Sequence, residues 1–434
     1  MTSLNSYPVR AIQFGGGNFL RAFVDWVLEC MNRKGLFNGS VAVVQRHEND
    51  VMQAWKQQNG VFHVVCRGVE NGQAVEKIER VSCVKHLFAD DNPSDWAQVL
   101  DLARSPELRF VFSNTTEAGI EYRSGVRTFP AKVAEILQIR YQSGLSGLIF
   151  LPCELIEHNG ATLKKCVLAY IEDTAVKAWI ERECIFANTL VDRIVSGAPN
   201  EDDARRYKAL IGYDDALLTC CEPFFFWAIE APASVADELP LDRVGLDVVF
   251  TNDLQPYRTR KVRFLNGAHS ASVLGAHLAG FKLVDEMVQD EYFGKFLRQV
   301  LFEEVLPTIA LPETEKYAYA ESVLERFANP FAGHRLSSIA LNSVAKWKVR
   351  VLPTLLDYVK ITGKLPEALT RSMAYLIAFY TSCEVQDSPE VKTFFAGKPG
   401  VKTILGQNGF WGMDLNSIPG FTQQVIVELE KITQ

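Results

Sequence analysis

The stretch Val9-Arg10-Ala11-Ile12-Gln13-Phe14-Gly15-Gly16-Gly17-Asn18-Phe19-Leu20-Arg21-Ala22 decides the fold. A short apolar run enters three glycines, and helical periodicity then continues over residues 18–34 with Gly35 just beyond its end. Residues 41–45 read as a second buried strand. Strand, glycine turn, helix and strand in that order open a doubly wound α/β domain. Such a turn brings backbone N–H groups and a helix N-terminus to a pyrophosphate. Two features depart from the full G-x-G-x-x-G fingerprint. Leu20 stands at the third glycine position, with the small residue arriving at Ala22, and Gln45 and Arg46 replace the acid that would grip a ribose. On spacing alone the turn is a dinucleotide site or a plain structural turn, and NAD is not distinguished from NADP.

Working outward, residues 62–68 and 74–84, joined through Asn71-Gly72, read as an antiparallel hairpin inserted in that domain. Residues 108–113 and 148–152 read as further parallel strands with a helix over 131–142 between them. From about residue 255 long helical patterns take over, at 257–280, 289–306, 314–328, 336–362 and 366–382, punctuated by prolines. The fold class is α/β: a Rossmann-type doubly wound sheet domain over residues 1–254, hairpin included, then a mainly α-helical substrate domain over 255–434.

Composition limits the partners. A chain of 434 residues exceeds one compact core, and 48% hydrophobic with 22% charged residues is ordinary for a globular protein. A net charge of −7 argues against nucleic acid or an anionic membrane, leaving a small-molecule substrate as the expected partner. Nine scattered cysteines without a C-x-x-C pair suit a reducing compartment. The start, Met1 to Pro8, has no apolar signal core, and the apolar region 216–236 is broken by Glu222, Pro223 and Glu230. A cytoplasmic protein is expected. His269, His277 and His334 lack metal-ligand spacing, so no catalytic metal is expected. Nothing in the pattern fixes an oligomeric state.

The chemistry sits in Lys261-Val262-Arg263-Phe264-Leu265-Asn266-Gly267-Ala268-His269. On an α-helix, i+5 and i+8 lie roughly 140° and 80° around from i, so all three polar side chains project from one side. Carbonyl reduction needs a proton donor at the oxygen and a second group to polarise it. The same spacing also describes an ordinary solvated helix face.

Several segments together resemble the long-chain polyol and sugar-acid dehydrogenase family that includes mannitol dehydrogenase. They are Phe14 to Phe23, Phe110 to Ile120, Pro152-Cys153-Glu154-Leu155-Ile156 with Asn159-Gly160, Leu190-Val191-Asp192-Arg193-Ile194-Val195, the lysine motif as Lys-x4-Asn-x2-His, and Arg326-Phe327 with Asn329-Pro330 and Ser338 through Lys346. The family's own cofactor turn lacks the third glycine. Within the family the chain is most similar to the branch that reduces tagaturonate. Mannitol-type members carry a glutamate three residues before the lysine, where this chain has Arg258, a change suited to an anionic substrate.

The resemblance implies reversible, NAD-dependent hydride transfer converting D-tagaturonate to D-altronate in hexuronate catabolism. Fructuronate or a polyol such as mannitol are alternative substrates, and a non-catalytic dinucleotide-binding sensor is the alternative of another class. Lys261 is the implied proton donor, with Asn266 on the developing alkoxide and His269 orienting a hydroxyl or the lysine. A free lysine titrates near 10.4, and bringing it to about 7–8 needs roughly 4 kcal/mol from desolvation and nearby cations. Arg258, Arg260 and Arg263 are the candidates for those cations. Gly15, Gly17, Asn18, Phe19 and Arg21, with Asn114 and Thr115, are the implied cofactor residues. Asp192 is read as a substrate ligand or as an ion-pair partner of an arginine such as Arg193, and Asn159 as a substrate ligand or a turn residue. Arg258 suits an anionic substrate. Lys346, and behind it Arg350, are candidates for the substrate carboxylate.

Overall fold

Strand β1 (Val9–Phe14) buries every side chain except that of Arg10, as a strand covered on both faces must. The structure, a computed structural model, describes residues 6–433, and the sequence reading of Met1 to Asn5 lies outside them. Around β1 are β2 (Ser40–Gln45), β3 (Val84–Ala89), β4 (Phe110–Ser113), β5 (Ile149–Pro152) and β6 (Ile185–Phe186), in the spatial order β3-β2-β1-β4-β5-β6. All five pairings are parallel. The strand order reverses beside β1, which makes its carboxyl end the switch point where doubly wound folds bind ligands.

The alternation of side chains along each strand builds two cores. Ala11, Val41, Val43, Phe110, Phe112 and Leu151 belong to one, with Leu20, Val24 and Val27 of the glycine-turn helix and Trp227. Ile12, Phe14, Val44, Val111 and Phe150 belong to the other, with Val99 and Leu137 from the helices Pro93–Ala103 and Phe129–Gln142.

Two small sheets complete the α/β part. One orders Val195–Gly197, Thr219–Cys221, Phe62–Glu70 and Gln73–Val81, the other Asp247–Thr251, Phe226–Glu230 and Asn188–Asp192. Asn71 and Gly72 take φ of 52° and 72°, the left-handed pair that a two-residue hairpin turn requires. The second hairpin strand stops at Val81, and Val84 begins β3 of the main sheet, a boundary that the continuous pattern over 74–84 hides.

The chain divides into two compact units. The first runs up to Arg67 and resumes over Val75–Leu254, and the second takes the hairpin tip, Gly68–Ala74, and everything from Gln255. The second unit is helical. Its central helix, Gly267–Leu278, packs on Glu367–Ser382 so tightly that a Cβ on Gly275 would lie 2.6 Å from the Tyr375 ring. The single helix expected over 336–362 is three pieces, Leu336–Ile339, Ser343–Arg350 and Leu352–Thr362. Asn342 adopts φ 53° at the first break, and Pro353, which has no N–H to continue a ladder, sits just after the second. No helix among the described residues is long and apolar enough to cross a membrane.

Helix Glu367–Ser382 begins on a buried carboxylate. Glu304 accepts the N–H groups of Ala368 and Leu369 at 2.7 and 2.8 Å, two of the four donors a helix start leaves unpaired. Burial raises its pKa from the ordinary 4.5 to about 7, against the pull of those two bonds. Because the folded value is the higher one, the native state holds the proton more tightly, and stability falls as pH rises from about 4.5 through about 7. Glu304→Gln is expected to flatten the decline in melting temperature between pH 5 and pH 8, and Glu304→Ala to cost about 1–3 kcal/mol by orphaning two donors. Melting curves that keep the wild-type pH slope in the Gln variant would assign the dependence to other groups.

Candidate active site

At the carboxyl end of β1 three glycines do three different things. Gly15 donates its N–H to the Val44 carbonyl at 2.9 Å and takes φ 111°, where a side chain is strained. A Cβ on Gly16 would lie 2.3 Å from Nε2 of Gln45 and 2.7 Å from the Trp55 ring. A Cβ on Gly17 would meet nothing within 4 Å, so this residue faces open space at the helix start. Beside the turn lies a cavity of about 470 Å³ lined by Gly15, Gly16, Gln45, Asp90, Thr115 and Phe129, with Arg46 also on its wall. Open backbone, a helix N-terminus and a roomy cleft at the switch point fit a dinucleotide.

The cavity wall at Thr115 is held by an acid to which the sequence reading gave no role. Glu154, buried at the end of β5, accepts the N–H of Thr115 at 2.8 Å, its hydroxyl at 3.0 Å and the hydroxyl of Ser113 at 3.0 Å. Burial raises its pKa in spite of those bonds. The loop it anchors is strained, since Thr116, a β-branched residue, sits at φ 71°. The Asn114 N–H is tied to the Phe14 carbonyl at 3.1 Å, so Asn114 and Thr115 stand beside the glycine turn. The one buried acid on the cavity wall near the missing ribose ligand, Asp90, is paired with Lys132 at 2.6 Å.

Three expectations are corrected in this unit. Arg21 is buried beneath the turn, donating to the Gly16 carbonyl at 2.8 Å, to Oδ1 of Asn18 at 2.5 Å and to the hydroxyl of Thr219. It shapes the turn from below and does not face the cleft, while Asn18 is exposed and Phe19 stacks on Phe23 at 5.0 Å. Asn159 is also committed. Its amide donates to the carbonyls of Pro152, Glu154 and Thr189, and its oxygen accepts the N–H of Gly160 and Thr189. It is a turn residue with no group left for a substrate. Arg193 does not pair with Asp192. Its guanidinium donates to the carbonyls of Glu222 and Ala22 and to Sγ of Cys66, and lies 4.1 Å from the Trp26 ring centre. Asp192 itself is buried at the end of its strand.

In the second unit the lysine motif lies on one helix that changes its winding in the middle. Gln255–Lys261 is α-helical, Val262–Asn266 is a π turn, and Gly267–Leu278 is α-helical again. In a π turn residues five apart stack along the axis, where an α-helix would set them roughly 140° apart. Lys261 and Asn266 are thus drawn together more closely than the regular spacing implies. Gly267 is needed beside them, because a Cβ there would lie 3.1 Å from the Arg350 carbonyl.

His269 is buried and stacked on Phe327 at 4.0 Å, with His334 6.3 Å away between ring centres. Burial, then His334, Arg326, Arg350 and Lys346, push its pKa well below 6.5, so it is neutral at physiological pH. Its Nε2 has no hydrogen-bond partner among the described residues. The cations around the motif are therefore not those expected. Arg263 turns away to Asp357 at 2.6 Å and to the Thr308 carbonyl, and Arg260 lies over the Tyr319 ring at 4.2 Å. Arg258, one turn before Lys261, is half-buried. Lys346 donates to the Ile339 carbonyl at 2.8 Å. Arg326 and His334, read from sequence only as a motif residue and a structural histidine, join the group.

A parallel sheet in this order with an open glycine cradle at its switch point defines a Rossmann-type dinucleotide fold, here joined to a helical unit. Comparison with known proteins narrows this. The chain belongs to the mannitol dehydrogenase family, the Rossmann-domain model of that family matching residues 9–243 and its C-terminal-domain model residues 253–433. The altronate oxidoreductase of Bacillus subtilis is 40% identical over 98% of this chain and 93% of its own length, and that of Phocaeicola vulgatus is 38% identical over 98% and 95%. Among solved structures, Pseudomonas fluorescens mannitol 2-dehydrogenase in ternary complex with NAD and D-mannitol superposes with a TM-score of 0.70 at 20% identity, over 99% of this chain and 93% of that one. A substrate-free D-sorbitol dehydrogenase gives 0.83 at 21%, over 99% and 94%. At those identities they report the fold.

The glycines yield a paired prediction. Gly17→Ala is expected to leave the melting temperature within about 2 °C and to weaken dinucleotide binding at least about tenfold, because its methyl fills only open space. Gly16→Ala, which must displace Gln45 or Trp55, should lower the melting temperature by several degrees through overpacking. Calorimetry with and without NADH measures both, and unchanged affinity in Gly17→Ala would remove the cradle from the binding site.

Proposed function

We propose that this chain is an NAD-dependent oxidoreductase that interconverts D-tagaturonate and D-altronate. The observation that carries the reading is the Lys261, Asn266 and His269 group, wound together by a π turn and ringed by cations suited to an anionic sugar. The names of the relatives that match nearly the whole chain support the substrate.

NADH supplies the hydride when bound, and the glycine turn with Asn114 and Thr115 is the part of the chain that would hold it. Lys261 gives its proton to the ketone oxygen as that oxygen becomes a hydroxyl, and takes it back in the oxidative direction. Asn266 donates its amide N–H to the same oxygen, where negative charge develops. His269, being neutral, offers one donor and one acceptor, and its Nε2 is available to a hydroxyl of the sugar. Asp192 is a further candidate for a sugar hydroxyl. Arg258, Lys346 and their neighbours favour a substrate carrying negative charge.

NADH and NADPH oxidation with tagaturonate, fructuronate and fructose offered separately tests the reading. NADH oxidation fastest with tagaturonate is expected. Turnover with fructose alone would move the substrate to the polyol branch, and no turnover despite NADH binding would favour a sensor. Lys261→Ala should lower kcat at least about a hundredfold with NADH affinity nearly unchanged, and near-normal turnover in that variant would remove Lys261 from the chemistry.

A further inference from the structure

The carboxylate of a keto-hexuronate lies at the opposite end of the sugar from its ketone, so the group that seats it belongs on a different element from the proton donor. Helix Ser343–Arg350 packs beside the lysine helix and carries three cations, of which Lys346 and Arg350, four residues apart, share a face and Lys348 lies between them in sequence. The sequence reading puts Lys346 first, with Arg350 behind it. The structure reverses the order, and we infer that Arg350 is the residue that seats the substrate carboxylate, with the buried Nε2 of His269 beside it.

The inference rests on the uronate reading above and on how each charge is already used. Lys346 has one donor fixed on the Ile339 carbonyl and feels Asp387, which itself accepts the Tyr380 hydroxyl at 2.5 Å. His334 feels Asp285. Arg326 is buried and has partners of its own. Arg350 differs from all three. Its guanidinium is half-buried, burial lowers its pKa, and among the described residues it has neither a carboxylate nor a hydrogen-bond acceptor.

A partly desolvated cation without a counter-charge is costly, and a protein that keeps one has a use for it. The place of Arg350 is fixed from its backbone, since its carbonyl abuts Gly267, two residues before His269. His269 adds the second, independent sign of a ligand, as a side chain about nine-tenths buried whose Nε2 has no partner among the described residues. A planar guanidinium matches a carboxylate with two parallel N–H bonds, which an ammonium already tied to a carbonyl cannot do. Lys346 then acts as a positioning residue that ties its helix to the end of Leu336–Ile339 and adds background positive potential.

The test compares wild type, Arg350→Gln, Arg350→Lys and Lys346→Met on tagaturonate, fructuronate and fructose, with melting temperature as a check on folding. Arg350→Gln should raise KM for both uronates about a hundredfold, most of the loss falling in KM, and lower the preference for uronate over fructose accordingly. Arg350→Lys, which keeps the charge and loses the fork, should raise it about tenfold, and its reading stands even if the glutamine variant folds poorly. Lys346→Met should change KM less than either. If wild type reduces tagaturonate and both Arg350 variants keep its KM, the inference is wrong and the uronate reading stands. If wild type reduces fructose and neither uronate, the uronate reading fails and takes the inference with it.

Discussion

The first unit depends on one guanidinium held almost out of reach of water. Arg193 is buried, and an arginine placed so deep is tolerated only if its donors are satisfied. They are, by two backbone carbonyls and a sulfur from three separate stretches of chain, with the Trp26 and Phe225 rings at 4.1 and 5.6 Å from its carbon. One of those carbonyls, that of Ala22, belongs to the π turn Arg21–Asp25 in the glycine-turn helix, where the loosened ladder leaves a backbone acceptor for a side chain. The pitch of the cofactor helix, the end of strand Thr219–Cys221 and strand Phe62–Glu70 are therefore fixed by the same charge. The aspartate and arginine that read as one signature do unlike work.

The second unit uses charge in the opposite sense. Around His269 cations gather with few acids to offset them, and the imidazole answers by staying neutral. Neutrality is useful there, because a neutral ring can accept a hydrogen bond where an imidazolium can only donate. It also means that His269 does not compete with Lys261 for the proton that the reaction consumes. Like charges held close oppose folding, and tight packing such as that of Gly275 against Tyr375 is where the unit recovers stability.

Much of this was legible in the chain. The succession of strand, glycine turn, helix and strand from Val9 to Gln45, the hairpin at Asn71-Gly72 and the helical second half follow from period and punctuation, since strands and helices impose periods of 2 and 3.6. The family motifs pointed to both candidate sites. What the sequence could not disclose is where side chains point. Arg21 and Asn159 stand in the right motifs, yet their hydrogen bonds run inward. Arg263 has the right spacing and the wrong direction. Glu154 was in plain view, but a role that consists of holding Thr115 has no signature in one sequence. The breaks at Asn342 and Pro353 had a signal, an asparagine able to take positive φ and a proline, which the unbroken apolar pattern over 336–362 outweighed.

The loosened winding at Val262–Asn266 has a wider meaning for the chain that carries it. A π turn is an α-helix with one residue too many, and neither end of the helix can absorb the surplus. It sets the phase between everything before it and everything after it, as a leap day sets a calendar. If the same residues rewound there as regular α-helix, both helices would stay sound and the composition unchanged, yet Lys261 would swing about 100° around the axis from Asn266 and His269. The wide winding of that short segment, more than the identity of most residues in it, is what keeps the chemistry in register.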